Sequence, residues 1–424
     1  MRFIICCALI IGAACSLNAA TSTASPTYNH DIAPILYQNC ATCHRPGEVA
    51  PFSLLTYQDT AKRAALIATI TKAHVMPPWK AEPGYGDFRD ARRLTDEQIA
   101  VIQKWASNGA PEGDPAEKPA PPKFTNGWQL GQPDKVVTIP AKFAVPADGP
   151  DVYRCFVIPM DLDKEIYLSA LEFRPDDRRT VHHALVFSDP RHAGRKLAEG
   201  SPDGGYTCFG GPGFAGGLLG GWAPGFAGNK PVEGYSTPLA KGTDLVIQIH
   251  YHPSGKAAQD QSSLGLFYGE PPVHGRVAII VGTHNIDIAP GDSHYVVKEE
   301  LTTPADADLM RVTPHAHYLC KEMKINAHLP DGSVTPLIWI KDWDFNWQSG
   351  YTYQKPIHLP KGTRIEMEYT YDNSATNPRN PSHPPVHVTY GEQTTDEMGL
   401  AFLTFALPTP AEAVAFRREA YAGR

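Results

Sequence analysis

The stretch Cys40-Ala41-Thr42-Cys43-His44 decides how the N-terminal region folds. C-x-x-C-H is the spacing at which two thiols add to the vinyl groups of one haem, while the histidine that follows becomes the proximal iron ligand. A redox dithiol would sit in a βαβ pattern and a zinc site would need a second ligand pair close by. Neither accompanies these residues. The reading is therefore a covalent haem c held by Cys40, Cys43 and His44.

Working outward, the pattern predicts a helix over 61–72 capped by Asp59 or Thr60, with Ala64, Leu66, Ile67 and Ile70 on its apolar face. It stops before His74-Val75-Met76-Pro77-Pro78-Trp79. A methionine in a proline-bound loop suits a sixth haem ligand, because the thioether favours ferrous iron; His74 is the rival. Thr95-Asp96-Glu97-Gln98 is a capping box that opens a helix to about Ser107, stopped by Asn108-Gly109. Helix, haem loop and helix together resemble the small c-type cytochromes, so 27–112 is expected to be an all-α haem domain, with 113–123 as a proline-rich linker.

Residues 1–20 read as a secretory signal peptide: Arg2, an apolar run too short to span a membrane, then small residues. Cys15 after Gly12-Ala13-Ala14 is an alternative lipoprotein anchor. No other run approaches membrane length, so the expectation is a periplasmic or secreted protein without a transmembrane segment. Export agrees with haem attachment and permits disulfides. With Cys40 and Cys43 taken by haem, Cys155, Cys208 and Cys320 allow at most one internal pair. The formal net charge of −7, without a basic block, argues against nucleic acid as a partner.

From about Phe124 the pattern turns to short β-branched and aromatic runs punctuated by Gly, Pro, Asn and Asp, the signature of sandwiches or barrels. Candidate strands are 136–139, 153–158, 166–173, 182–187 and 245–251, with a second set over 277–405 and a terminal helix over 409–422. A glycine-rich loop over 204–221 lacks the Lys-Ser/Thr and helix of a phosphate-binding loop. In His315-Ala316-His317 the two imidazoles share one face of an extended segment. Neighbours such as His182-His183 point to opposite faces of a regular strand, so joint ligation needs a bulge or a strand end. Taken singly, each pair is more often hydrogen-bonding or surface histidine than a ligand set.

Four motifs in order carry a resemblance: Val181-His182-His183-Ala184-Leu185-Val186, Leu245-Val246-Ile247-Gln248-Ile249-His250-Tyr251-His252-Pro253, His315-Ala316-His317 and Asp396-Glu397-Met398. Together they resemble the copper type II ascorbate-dependent monooxygenases, the family of dopamine β-monooxygenase and peptidylglycine α-hydroxylating monooxygenase; Trp222-Ala223-Pro224-Gly225 falls where that family carries a Trp-Ala segment. The resemblance implies two jelly-roll-like β-sandwich domains, 124–275 and 276–424, each with one copper ion. It assigns an electron-transfer copper to His182, His183 and His250, and the oxygen-reactive copper, with the catalytic role, to His315, His317 and Met398. Three imidazoles suit a copper that changes oxidation state, and a thioether favours Cu(I). His252 and Met323 are rivals for His250 and Met398. The resemblance also implies a Cys155–Cys208 disulfide, leaving Cys320 without a mate.

The chain departs from the family where peptide-hydroxylating members carry an Arg two residues before His-x-His: here stands Thr313, with Arg311 further back, which disfavours a peptide carboxylate as substrate. The expected activity is that of an oxidoreductase acting on paired donors, inserting one oxygen atom of O₂ into a C–H bond of a small organic substrate. Ascorbate or a redox protein would donate electrons, and the haem would relay or replace that donor to the two coppers. The alternative is a non-enzymatic periplasmic electron-transfer or copper-binding protein.

Overall fold

A computed structural model describes residues 25–46, 48, 50–89, 91–124, 127–223 and 231–422. The expected signal peptide, Cys15 and the Pro224-Gly225 part of the Trp-Ala segment lie outside the described residues.

The N-terminal part is helical. A π-type turn, Tyr28–Ile32, runs into helix Ala33–Asn39, whose C-cap residue is Cys40. Helices Ala64–Lys72 and Asp96–Ser107 pack on it around Tyr28, Ile32, Leu36, Ile67, Ile102 and Trp105. Thr95 and Gln98 form both bonds of the capping box. The start of the preceding helix differs from expectation. Thr56, rather than Asp59 or Thr60, is the cap of a short helix Tyr57–Ala61, its Oγ1 accepting from the Asp59 amide at 3.1 Å. Thr60 is buried and donates its hydroxyl to the Thr56 carbonyl at 2.9 Å, and Arg63 leaves helical geometry, so a second helix starts at Ala64. Within that helix Ala64, Ile67, Ala68 and Thr71 form the buried face, and Leu66 points outward, 48% exposed. The linker begins as part of this unit, because the Asn29 side-chain amide donates to the carbonyls of Gly113 at 3.3 Å and Asp114 at 3.1 Å.

Two β-sandwiches follow. In the first, a five-stranded sheet in the order Gly205–Thr207, Val152–Ile158, Asp244–Tyr251, Val181–Asp189, Gly217–Trp222 faces a four-stranded sheet of Lys135–Thr138, Ser263–Tyr268, Ile166–Arg174 and Thr237–Leu239. Phe156, Val186, Ile247 and Ile249 meet Leu168, Phe173, Leu264 and Leu266 in its core. The glycine-rich stretch supplies both edges of the five-stranded sheet rather than a plain loop. Its glycines are needed there: a Cβ at Gly205 would stand 2.8 Å from the Cys155 carbonyl, and one at Gly221 would stand 3.0 Å from that of Ala184. Cys155 and Cys208 are joined by a disulfide, as expected.

The second sandwich pairs Gly275–Thr283, Gly399–Leu407, Ala307–His315 and Tyr351–Leu359 against Tyr295–Thr302, Arg364–Tyr371, Cys320–His328 and Val334–Ile340. Terminal helix Pro410–Tyr421, capped by Thr409, covers it through Phe416 against Phe405. Between helices Ala64–Lys72 and Asp96–Ser107 the N-terminal chain leaves its own core and joins this one. Phe88 and Ala81 belong to the second sandwich's core, and the amides of Glu82 and Arg89 donate to the carbonyls of Trp339 and Thr352 at 2.8 Å each. Among the described residues no helix is long and apolar enough to cross a membrane.

Candidate metal centres

Strand Asp244–Tyr251 is buried along its whole length and brings His250, 1% exposed, to the end of the five-stranded sheet. Its neighbour Val181–Asp189 pairs Val181 with Tyr251 but His183 with His250, so the register slips at His182. This bulge is what lets adjacent histidines turn toward one point. Nδ1 of His183 lies 3.2 Å from Nδ1 of His182 and 3.3 Å from Nδ1 of His250, and the three residues each offer a nitrogen within 4.8 Å of the others. Imidazole binds ions such as zinc at about 2.0–2.1 Å, which sets nitrogens of a tetrahedral set about 3.3 Å apart. The donor set therefore fits one ion bound by three neutral imidazoles.

Burial pushes His182 down to about 3 and holds His183 and His250 below the usual histidine range, so all three present lone pairs at neutral pH. Behind them, Nε2 of His250 lies 3.1 Å from Oδ2 of Asp151, and Nδ1 of His252 lies 2.6 Å from Oδ1 of the same carboxylate. Burial opposes the Asp151 charge, but those two histidines outweigh it and hold its carboxyl well below the ordinary range. His252 thus meets Asp151 and does not enter the cluster of three. The Tyr153 ring stacks on His250 at 4.2 Å, and its hydroxyl donates to the Glu392 carbonyl of the second sandwich at 2.7 Å.

The second group sits where strand Ala307–His315 ends. His315 pairs with Leu400, and Met398 stands just ahead of that strand, Gly399–Leu407. Glu397, fully buried, ties the corner together. One of its carboxyl oxygens accepts from the amides of His317 and Met398 at 2.9 and 3.0 Å, and the other from Leu319 at 2.6 Å. Burial pushes the Glu397 carboxyl up to about 8 against those bonds. The imidazoles of His315 and His317 stand 5.4 Å apart at 87°. Nδ1 of His315 is 2.5 Å from Gln348 Oε1 and Nδ1 of His317 is 3.1 Å from the Asp396 carbonyl. Each ring donates through Nδ1 to a fixed acceptor, which leaves Nε2 as the ligand atom, the arrangement that orients metal-binding histidines. Burial lowers His315 to about 4 and His317 to about 3. Met398 is 6% exposed, whereas the rival Met323 is packed in the second sandwich's core.

Sequence reasoning missed Gln348, Phe345 and Asp151. Phe345, 4% exposed, stacks on His182 at 4.7 Å and 13° and meets His317 edge-on at 5.7 Å and 86°. The two histidine groups are thus one aromatic ring apart. Arg311 donates through Nε to the Thr313 hydroxyl at 3.2 Å, on the strand leading to His315. Cys320 is a buried free thiol, pushed well up by burial.

In the helical unit, the turn after Cys40 is closed by the His44 amide donating to the Cys40 carbonyl at 2.9 Å, so both thiols project from one turn. Nδ1 of His44 lies 3.1 Å from the Phe52 carbonyl, again leaving Nε2 as the free donor atom. Burial pushes the Cys40 thiol up to about 12 and also raises Cys43. Two neutral, unpaired thiols and an oriented imidazole fit covalent haem attachment. Met76 is half-buried in the loop after helix Ala64–Lys72, and His74 is exposed.

These imidazoles set a pH dependence for the metal-free protein. Their folded pKa values lie below the unfolded one of about 6.5, so the unfolded chain binds more protons as pH falls through that value and stability falls with it. Glu397, shifted upward, offsets one such slope, and half-exposed His252, raised by its bond to Asp151, offsets part of another. Each uncompensated imidazole contributes up to about 1.4 kcal/mol per pH unit. Urea midpoints of metal-free protein are expected to be lower at pH 5 than at pH 7; equal midpoints would contradict buried neutral histidines.

No family model matches the chain, and no curated protein matches it. Among solved structures it is similar to PNGF-II in a C2 crystal form at 10% identity and TM-score 0.28, over 64% of this chain and 65% of that one, under two thirds of its length. It is also similar to the recombinant N-glycanase F at 12% identity and TM-score 0.26, over 64% and 95%. The exported protein XepA follows at 9% identity and TM-score 0.17, over 69% and 92%. Likeness at that level carries no argument about function.

Proposed function

We propose that the chain is an exported haem-copper monooxygenase that hydroxylates a C–H bond of a small organic substrate with O₂. The observation that carries the reading is the pair of neutral histidine groups, His182, His183 and His250 facing His315 and His317 across Phe345, with His250 and His317 buried and the other three half-buried. Copper bound there would supply one-electron chemistry and oxygen activation, and haem c at Cys40, Cys43 and His44, with Met76 as sixth ligand, would supply electrons drawn from ascorbate or a redox protein.

The protein's own residues do the rest. The bulge at His182 and the strand end at His250 hold three nitrogens at ligand spacing. Gln348 fixes His315 and the Asp396 carbonyl fixes His317, while His250 is held between the stacked Tyr153 ring and the Asp151 carboxylate 3.1 Å away. Glu397 keeps Met398 beside His317, offering a soft donor to one site only. Phe345, itself buried, stands between the groups. The Cys155–Cys208 disulfide supports an oxidising compartment.

The test is copper and haem per chain in protein matured with haem in the periplasm, with O₂ uptake followed after reductant is added. Two coppers per haem with O₂ uptake is the expected result. Met398→Ala should retain the first copper and lose hydroxylation by about two orders of magnitude or more, as expected when a preorganised group is removed. Full copper and full hydroxylation in that variant would remove Met398 from the site. Stoichiometric haem without copper, even after copper loading, would move the assignment to an electron carrier.

A further inference from the structure

Loop 341–350 of the second sandwich touches both histidine groups and the N-terminal segment. Asp342 pairs with Lys80 of the N-terminal segment at 2.8 Å. The Trp343 indole donates to the His317 carbonyl at 3.1 Å, and its amide donates to the Lys321 carbonyl at 2.9 Å. Gln348 accepts from His315 at 2.5 Å. Between these anchors Phe345 is placed against His182 of the other sandwich, face to face, and against His317, edge to face. Tyr318 closes the remaining side, with ring centroids 4.5 Å apart. The ring is buried and its loop is pinned on both flanks, so it cannot change its plane without disturbing both imidazoles.

We propose that Phe345 couples the two histidine groups, so that ordering one set of imidazoles around a metal orders the other. The inference rests on the reading that both groups bind copper. An imidazole that ligates a metal loses the freedom to rock about its side-chain torsions, and the ring stacked on it loses the same freedom. Filling the His182, His183 and His250 group therefore fixes Phe345, and with it the edge against which His317 sits. The second ion meets a site whose ordering cost has already been met, which is positive cooperativity without any change of fold. Such coupling is reciprocal, so filling either group strengthens the other by one factor.

The experiment titrates Cu(II) against a competing chelator, with each site's occupancy read from its electron paramagnetic resonance signal, in the full haem-bearing chain. His315→Ala, which empties one group, is expected to weaken Cu(II) at the other group by about fivefold or more, the lower end of ordinary coupling between sites. Phe345→Leu, which keeps apolar volume without the ring, is expected to give a similar weakening, with little added by combining the two substitutions. Phe345→Tyr retains the ring and should retain the cooperativity. Equal affinity of the first group in wild type and His315→Ala overturns the proposal, and this comparison stands even if Phe345→Leu does not fold. Cooperativity that survives in a folded Phe345→Leu also overturns it. Two coppers bound independently sink the coupling alone, whereas no copper at either group sinks the coupling and the copper reading together.

Discussion

His315→Ala is expected to leave one copper per chain where the wild type holds two, and to abolish O₂ uptake while the haem spectrum is unchanged. The substitution removes the half-buried partner of buried His317 and leaves the Gln348 side chain, 2.5 Å from it in the native protein, without its donor. A site reduced to His317 and Met398 lacks a third strong donor to hold an ion, and the soft donor that remains cannot replace it. Loss of an element that acts as part of a unit costs nearly as much as loss of the whole unit, so the residual rate should be at least about 10³-fold down. The measurement is metal content beside oxygen-electrode uptake on one preparation. Undiminished uptake with a single copper would place the oxygen chemistry at His182, His183 and His250 instead.

The second large effect is on stability. Glu397→Ala strips the acceptors from the amides of His317, Leu319 and Met398, all bonded to one carboxyl that no solvent reaches. An unsatisfied buried donor costs about 1–3 kcal/mol, so the variant should lose about 3–5 kcal/mol in urea unfolding. Glu397→Gln retains one accepting oxygen and should lose less. Because the same bonds position His317 and Met398, the alanine variant should also release copper from that group before the bulk of the protein unfolds. A variant with unchanged stability would show that water replaces the carboxyl without penalty.

Much of this was legible in the chain. The strands over 153–158, 166–173 and 245–251 were readable because β-branched and aromatic residues recur there between turn residues, and each lies within an observed strand. The capping box of Thr95 and Gln98 was readable because both its bonds are local. The histidines declared themselves by residue type and order. What the chain hid is non-local. A bulge at His182 depends on the register with His250, a partner 68 positions away in sequence. Phe345 looks like any core aromatic and Gln348 like any surface amide, since their meaning comes from His182 and His315 on other elements. Glu397 lay inside a motif read for its methionine, yet it is the carboxyl that shapes the corner. The glycine-rich stretch misled because glycine signals a turn by composition, while at a sheet edge it answers to a neighbouring carbonyl.

The excursion of the N-terminal chain into the second sandwich bears on heredity. Trp79 and Phe88 rest on Tyr351 and Tyr353, with Phe88 counted in that sandwich's own core. A gene split after residue 123 would yield one product with bare aromatic surface and another with those two rings turned into water. Each product would tend to aggregate. The helical and β-rich parts are thus bound to be gained, kept or lost as one piece, unlike modules strung on a linker, and evolution can tune one only within the tolerance of the other.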